Sequence, residues 1–150
     1  MKSIATNRKA QRDYSILETL EAGIELKGSE VKSIRAGRIN LNDSFARIEN
    51  NQLVLYNTHI SSYEQASYLN VEPVRKRKLL LHRNQIEKLE GKLTQKGLTL
   101  IPLKVYFNAR CFVKIELALG KGKRLYDKRE VLKRREIDLE MRRALKSRRR

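Results

Sequence analysis

From residue 121 onward the chain offers nothing that a core could hold. Residues 121–150 carry fourteen Lys/Arg against five Asp/Glu, so one fifth of the chain supplies nine of its seventeen net positive charges. After Gly122 there is no further Gly or Pro, and the Leu, Lys, Arg, Glu and Met of this stretch are good helix formers. At about 100° per residue, however, Leu132 and Leu139 share one face while Ile137, Met141 and Leu145 gather on the opposite one. A helix without one apolar stripe has no face to dock, and isolated helices are marginal in water. The spacing predicts a tail (121–150) that is disordered or frayed when free and helical once a partner supports it. Fully helical, residues 124–148 would reach roughly 35–40 Å at about 1.5 Å per residue. The bland alternative is a solvated charge run that only aids solubility. Charge concentrated at one end suggests a polyanionic partner. The fold itself must come from what precedes.

Residues 14–120 are enough for a single small core. A hydrophobic content of 40% with two prolines argues against wholesale disorder. No run approaches the ~18 apolar residues of a membrane span. An anionic membrane surface would attract the charge, but the tail lacks an apolar face to insert, so nucleic acid is the better partner. The single cysteine, Cys111, cannot form an internal disulfide, which fits a reducing compartment. Met1 to Ala5 form no hydrophobic signal segment, so a cytoplasmic protein is expected.

Residues 1–13, with Asn7, Arg8, Lys9 and Arg12, read as a short basic arm. From Tyr14 the pattern alternates with period two through Ile16, Leu20, Ala22, Ile24 and Leu26, a long strand in which Gly23 marks a bend or bulge. A short helix is expected over 28–37, with Ser29 as N-cap, Glu30 in the first turn and Gly37 as its stop. Val31 and Ile34 would face inward and Lys32 and Arg35 outward. Residues 44–48 and 53–56 read as a hairpin turned at Asn50-Asn51, a pair that tolerates positive φ. Residues 61–73 form an exposed loop, and the basic run Arg75-Lys76-Arg77-Lys78 then meets three leucines. A second helix is expected with Asn84 and Glu87 as its capping box, Ile86, Leu89 and Leu93 as its inner stripe, and Gly97 as its end. Strands over 98–107 and 111–119 close the domain, and Pro102 implies an edge or a bulge. A sheet of this size leaves costly edges unless it closes. The order predicts a mainly β fold: a small closed antiparallel barrel of OB-like type over 14–120, with two or three short helices and the basic tail.

Little in the chain suggests catalysis. His59, His82 and Cys111 lack metal-ligand spacing. Gly120-Lys121-Gly122-Lys123 is too short for a phosphate-binding loop, and the carboxylates Glu21, Glu30 and Asp43 stand singly. No enzyme activity, cofactor or metal is expected. Basic groups are plentiful: Arg75 to Lys78, then Lys32, Arg35 and Arg38, then Lys88, Lys92 and Lys96 along one helical strip. Tyrosines at 14, 56, 63, 68, 106 and 126 could stack on unpaired bases. Of these, only Tyr126, between Arg124 and Lys128, stands clear of any expected core.

Certain runs carry a resemblance: Asn7-Arg8-Lys9-Ala10, Glu21-Ala22-Gly23-Ile24, the decapeptide from Gly28 to Gly37, Asn42-Asp43-Ser44, Arg77 to His82, and Gly122 to Arg129. In order and spacing the chain resembles the SsrA-binding protein (small protein B) family, bacterial partners of transfer-messenger RNA in ribosome rescue. The resemblance implies an OB-like barrel that binds the tRNA-like domain of that RNA near its D-loop and elbow. It also implies a tail that becomes helical in the mRNA channel of a stalled ribosome, in place of the missing codon–anticodon half. No cofactor and no catalysis are implied, and a monomer is expected. RNA contacts are implied at Asn7, Glu21, Leu80, His82 and Lys114; Lys32 and Arg35 join them on charge alone. Gly122, Lys123, Arg124, Tyr126, Asp127, Lys128 and Arg129 match the segment that enters the decoding region. Ser15, Leu20 and Val71 depart from residues common in the family, where core packing and one loop are concerned. The competing reading is a ribosomal or translation-factor-like RNA chaperone, which would bind ribosomal RNA without transfer-messenger RNA.

Overall fold

The computed structural model describes residues 2–65, 71–94, 97–123 and 125–148. It is mainly β. In chain order the elements are β1 (Ser3–Thr6), α1 (Arg8–Asp13), β2 (Tyr14–Ile24), α2 (Gly28–Arg35), β3 (Ile39–Asn40), β4 (Phe45–Glu49) and β5 (Gln52–Tyr56). They continue with β6 (His59–Ile60), β7 (Arg77–Leu80), α3 (Arg83–Leu93), β8 (Leu98–Phe107), β9 (Val113–Gly122) and α4 (Leu125–Arg148). Seven strands pair in the order β1-β8-β4-β5-β7-β2-β9, and β8 also pairs with β9, so hydrogen bonding returns on itself. Every pairing is antiparallel, and β3 and β6 form a separate two-stranded sheet.

The core lies inside this circuit. On β9, Val113, Ile115, Leu117 and Leu119 are buried in it with Ala22, Leu53, Leu55, Leu79, Leu100 and Val105, and Ile34 and Leu89 cover it from α2 and α3. Lys114 and Glu116 alternate onto the other face, as the pleat requires. Strand β8 changes phase on the way. Its register against β9 shifts between Pro102 and Lys104, a bulge at the proline that cannot donate to the ladder. Leu100 and Val105 therefore face the core. Ile101 and Leu103 instead join Ala10, Ala118 and Tyr14 in a second apolar cluster on the outside.

That outer cluster lies beneath the segment read as a basic arm. Residues 3–6 are instead a strand on β8, and 8–13 a helix. Asn7 between them is 1% exposed. Its amide donates to Leu41 O at 3.0 Å and Pro102 O at 3.1 Å, and its carbonyl accepts from Ala10 N at 3.0 Å. The apolar partners of this segment are Ile4, Ala5 and Ala10, too few and too scattered to outweigh its charges in the sequence pattern.

The helices start earlier than capping motifs suggested. Lys27 takes the N-cap of α2, and Glu30 accepts from its backbone N–H at 2.9 Å, leaving Ser29 buried in the first turn. His82, not Asn84, caps α3, with Gln85 Oε1 accepting from its N–H at 3.2 Å. The hairpin turn stands as expected, with φ of 49° at Asn50 and 59° at Asn51. Gly23 is not at a bulge; the register of β2 shifts at Leu17 instead, between Ile16 and Glu18. Cys111 lies before β9 in a turn, at φ 62°.

The basic run Arg75 to Lys78 is divided by burial. The Arg77 side chain is fully buried, its guanidinium 2.8 Å from Glu30 and donating also to the carbonyls of Thr58 and Pro73. Arg75 joins the same carboxylate at 2.6 Å. Lys76 and Lys78 alone stay exposed. In the strip on α3, Lys92 pairs with Glu18 on β2, and Lys96 lies outside the described residues. The last described link between sheet and tail is Lys123 N–H to Asp13 O at 2.9 Å. Beyond it, the described side chains of α4 are exposed except for half-buried Val131.

Candidate nucleic-acid interface

Four strands place four positions in one row. Leu80 on β7 is opposite Gly23 on β2, Gly23 opposite Lys114 on β9, and Lys114 opposite Tyr106 on β8. The next row places Glu21 opposite Glu116 and Glu116 opposite Lys104. Their neighbours Leu79, Ala22, Ile115 and Val105 belong to the core, so these rows line the outer face. Gly23 matters here because a Cβ would sit 3.2 Å from that of Leu80. Without one, the half-exposed leucine can lie against β2.

Glu21 is held from two sides. The Tyr106 hydroxyl donates to Oε2, and the Lys114 ammonium stands 3.8 Å from Oε1. Burial, the hydrogen bond to Glu21 and the charges of Glu21 and Glu116 push the Tyr106 phenol up to about 12. It therefore stays a donor and fixes the carboxylate's orientation. Glu21 remains about half exposed, with acceptor capacity for a ribose hydroxyl or a base N–H. A phosphate it would repel. Lys114 can meet a phosphate oxygen, and Leu80 offers an apolar surface. Lys104, the other cation of these two rows, is paired with Glu116 at 2.8 Å.

Beside these rows runs a groove of about 480 Å³, lined by Gly23, Leu80 and Lys114, by Val31 of α2 and by the turn over 108–112. Lys32 and Arg35 are exposed on the same helix, the first 5.5 Å over the Tyr63 ring and the second 5.7 Å over Phe107. Exposed His82 follows Leu80 at the start of α3. The structure thus brings Glu21, Leu80 and Lys114 together, with Lys32, Arg35 and His82 on adjoining elements. Asn7 is excluded from direct contact by burial: its amide and carbonyl are spent on holding the N-terminal segment in place.

Of the tail residues, Gly122 ends β9 opposite Tyr14, and Lys123 follows it. Arg124 lies outside the described residues. Tyr126, Asp127 and Lys128 fall in the first turn of α4, where the backbone alone is described, and Arg129 is exposed. Tyr68 also lies outside the described residues, and Tyr14 and Tyr106 are packed rather than presented. Tyr56 stacks on Phe45 at 5.2 Å, with Arg47 4.9 Å over Phe45 and Lys76 5.1 Å over Tyr56. Among the described residues no group of three or more His, Cys, Asp and Glu could hold a metal ion. No described helix is long and apolar enough to cross a membrane. Sequence reasoning missed Arg110 and Phe112, the latter 63% exposed on the groove, because the alternation of β9 drew attention to Val113 and its inward partners.

An oriented acceptor, a neighbouring ammonium and an apolar step on a strongly basic chain define a nucleic-acid-binding β protein. The family model described as SmpB protein matches residues 4–147, and the chain belongs to that family. It is 60% identical over 147 residues to the SsrA-binding protein of Carboxydothermus hydrogenoformans, covering 98% of both chains. To that of Caldicellulosiruptor bescii it is 59% identical over 146 residues, covering 97% of this chain and 92% of the relative. Among solved structures it is similar to a chain of "tmRNA-SmpB: a journey to the center of the bacterial ribosome", with a TM-score of 0.69 and 54% identity. That match covers 85% of this chain and 93% of the other.

Proposed function

We propose that this protein binds the tRNA-like domain of transfer-messenger RNA and acts in trans-translation on stalled bacterial ribosomes, in the cytoplasm. The relatives are named for binding SsrA, and the solved neighbour belongs to a tmRNA-SmpB complex on the ribosome. The observation that carries the reading is the Glu21–Tyr106–Lys114 arrangement. A carboxylate locked in one orientation selects a hydroxyl or N–H partner, so it supplies a specificity that positive charge alone lacks. In this reading the closed circuit of strands is an OB-like barrel that presents this face to RNA. Gly122 to Arg129 lead α4 into the mRNA channel, where RNA walls neutralise its charge and fix its helix. The protein contributes binding and mimicry, with no catalysis and no cofactor of its own.

Titration of the protein with transfer-messenger RNA and with an elongator tRNA tests the reading. A clear preference for the former is expected, and Tyr106→Phe should erode it by freeing Glu21. Equal, weak and steeply salt-dependent binding to both RNAs would leave only general electrostatics.

A further inference from the structure

We infer that the groove between Leu80 and the turn over 108–112 receives an unpaired nucleobase of the bound RNA, stacked on Phe112 with Arg110 on the adjoining phosphate. This rests on the functional reading above and extends it to residues outside the matched RNA contacts. A lone exposed phenylalanine is ordinary on a protein surface. Three observations set this one apart.

The first is rigidity. Asn108 Oδ1 accepts from the N–H groups of Arg110 at 3.1 Å and Phe112 at 2.9 Å. Asn108 N–H donates to Phe112 O at 2.9 Å, and Cys111 N–H to Asn108 O at 3.0 Å. The ring therefore projects from a backbone already fixed, and little further ordering is needed when a base stacks on it. The second is shape. About 480 Å³ of groove lies between Phe112, Val31, Ile24 and Leu80, within the roughly 300–1,000 Å³ typical of small-ligand sites. The third is charge. Arg110 and Lys114 are the charged side chains lining the groove, and no carboxylate is among its described lining residues. An apolar slot with a cationic rim suits a base with its phosphate, since every base has a π-face and a neighbouring anion. A peptide side chain would bring no such anion.

Phe112→Ala provides the test, because the bonds that hold the turn come from Asn108 and the backbone. Affinity of the full-length protein for the tRNA-like domain of transfer-messenger RNA should fall about 5- to 100-fold, the range of lost base stacking. The salt slope should stay unchanged, and Phe112→Trp should restore binding. Arg110→Ala should weaken binding and reduce the slope by about one phosphate contact. Specific wild-type binding that Phe112→Ala leaves intact overturns the groove assignment alone. A defect confined to ribosome engagement overturns it in favour of a different occupant. If the wild type fails to distinguish transfer-messenger RNA from elongator tRNA, the functional reading falls and the groove loses its ligand.

Discussion

Glu30 is 45 residues from Arg75 and 47 from Arg77, yet it holds both guanidinium groups and its own helix start with one carboxylate. Burial pushes that carboxyl up, but the bonds from Arg75, Lys27 N–H and Arg77 outweigh it and hold its pKa below the usual 4.5. The unfolded chain thus takes up this proton first on acidification. The stabilisation is complete above about pH 4.5 and is lost as pH falls through the lower folded value. Glu30→Gln strands the buried Arg77 charge and should cost roughly 3–5 kcal/mol, read as a lowered urea midpoint at pH 7 with a flattened acid limb. Asn7→Ala loses a cap and the buried amide that donates to Pro102 O and to Leu41 O, the latter still accepting from Ser44 N–H, for about 2–4 kcal/mol. RNA affinity measured well below its melting temperature should be unchanged, which separates a structural asparagine from a contact residue. Neither role was legible beforehand. Glu30 looked like an ordinary first-turn acid and Asn7 like part of a basic arm and an implied RNA contact, because their partners are set by tertiary contacts rather than spacing.

At the scale of elements, pattern reading did well where an apolar run is bounded by turn signals, even in β8, whose facing changes midway. The boundaries of β8 were read to the residue, and the β4–β5 hairpin was marked by Asn50-Asn51, whose positive φ values the turn demands. It failed where an element is short or supported from outside: β1 and α1 gain stability from β8 and the second apolar cluster, and β3 and β6 have two residues each. For α4 the absence of a docking stripe was plain in the sequence, and its described side chains are solvent-exposed apart from half-buried Val131. A chain ending at Lys123 keeps the link to Asp13. It should melt at the same temperature as the full protein and bind transfer-messenger RNA almost as well, while losing all tagging activity on stalled ribosomes. Loss of RNA affinity in that truncation would mean that the two parts do not divide the work in this way.

For the molecule as a whole, a net charge of +17 ensures that every RNA is attractive, and selectivity has to come from a small part of the surface. Raising salt from about 50 to 200 mM should therefore weaken binding to bulk RNA far more than binding to transfer-messenger RNA. Competition titrations at the two salt concentrations would reveal this as a widening preference. The bulge after Pro102 has a further consequence. It lets β8 turn Val105 toward the interior and Tyr106 toward Glu21 while Leu103 still covers the outer cluster. Deleting Leu103 would set Pro102 and Lys104 on the consecutive partners Leu117 and Glu116, so Val105 and Tyr106 would keep their faces and only the outer cluster would lose a side chain. Descendants of this chain could shed that one residue and keep both faces, whereas a residue lost farther along β8 would put Tyr106 and its neighbours on the wrong ones.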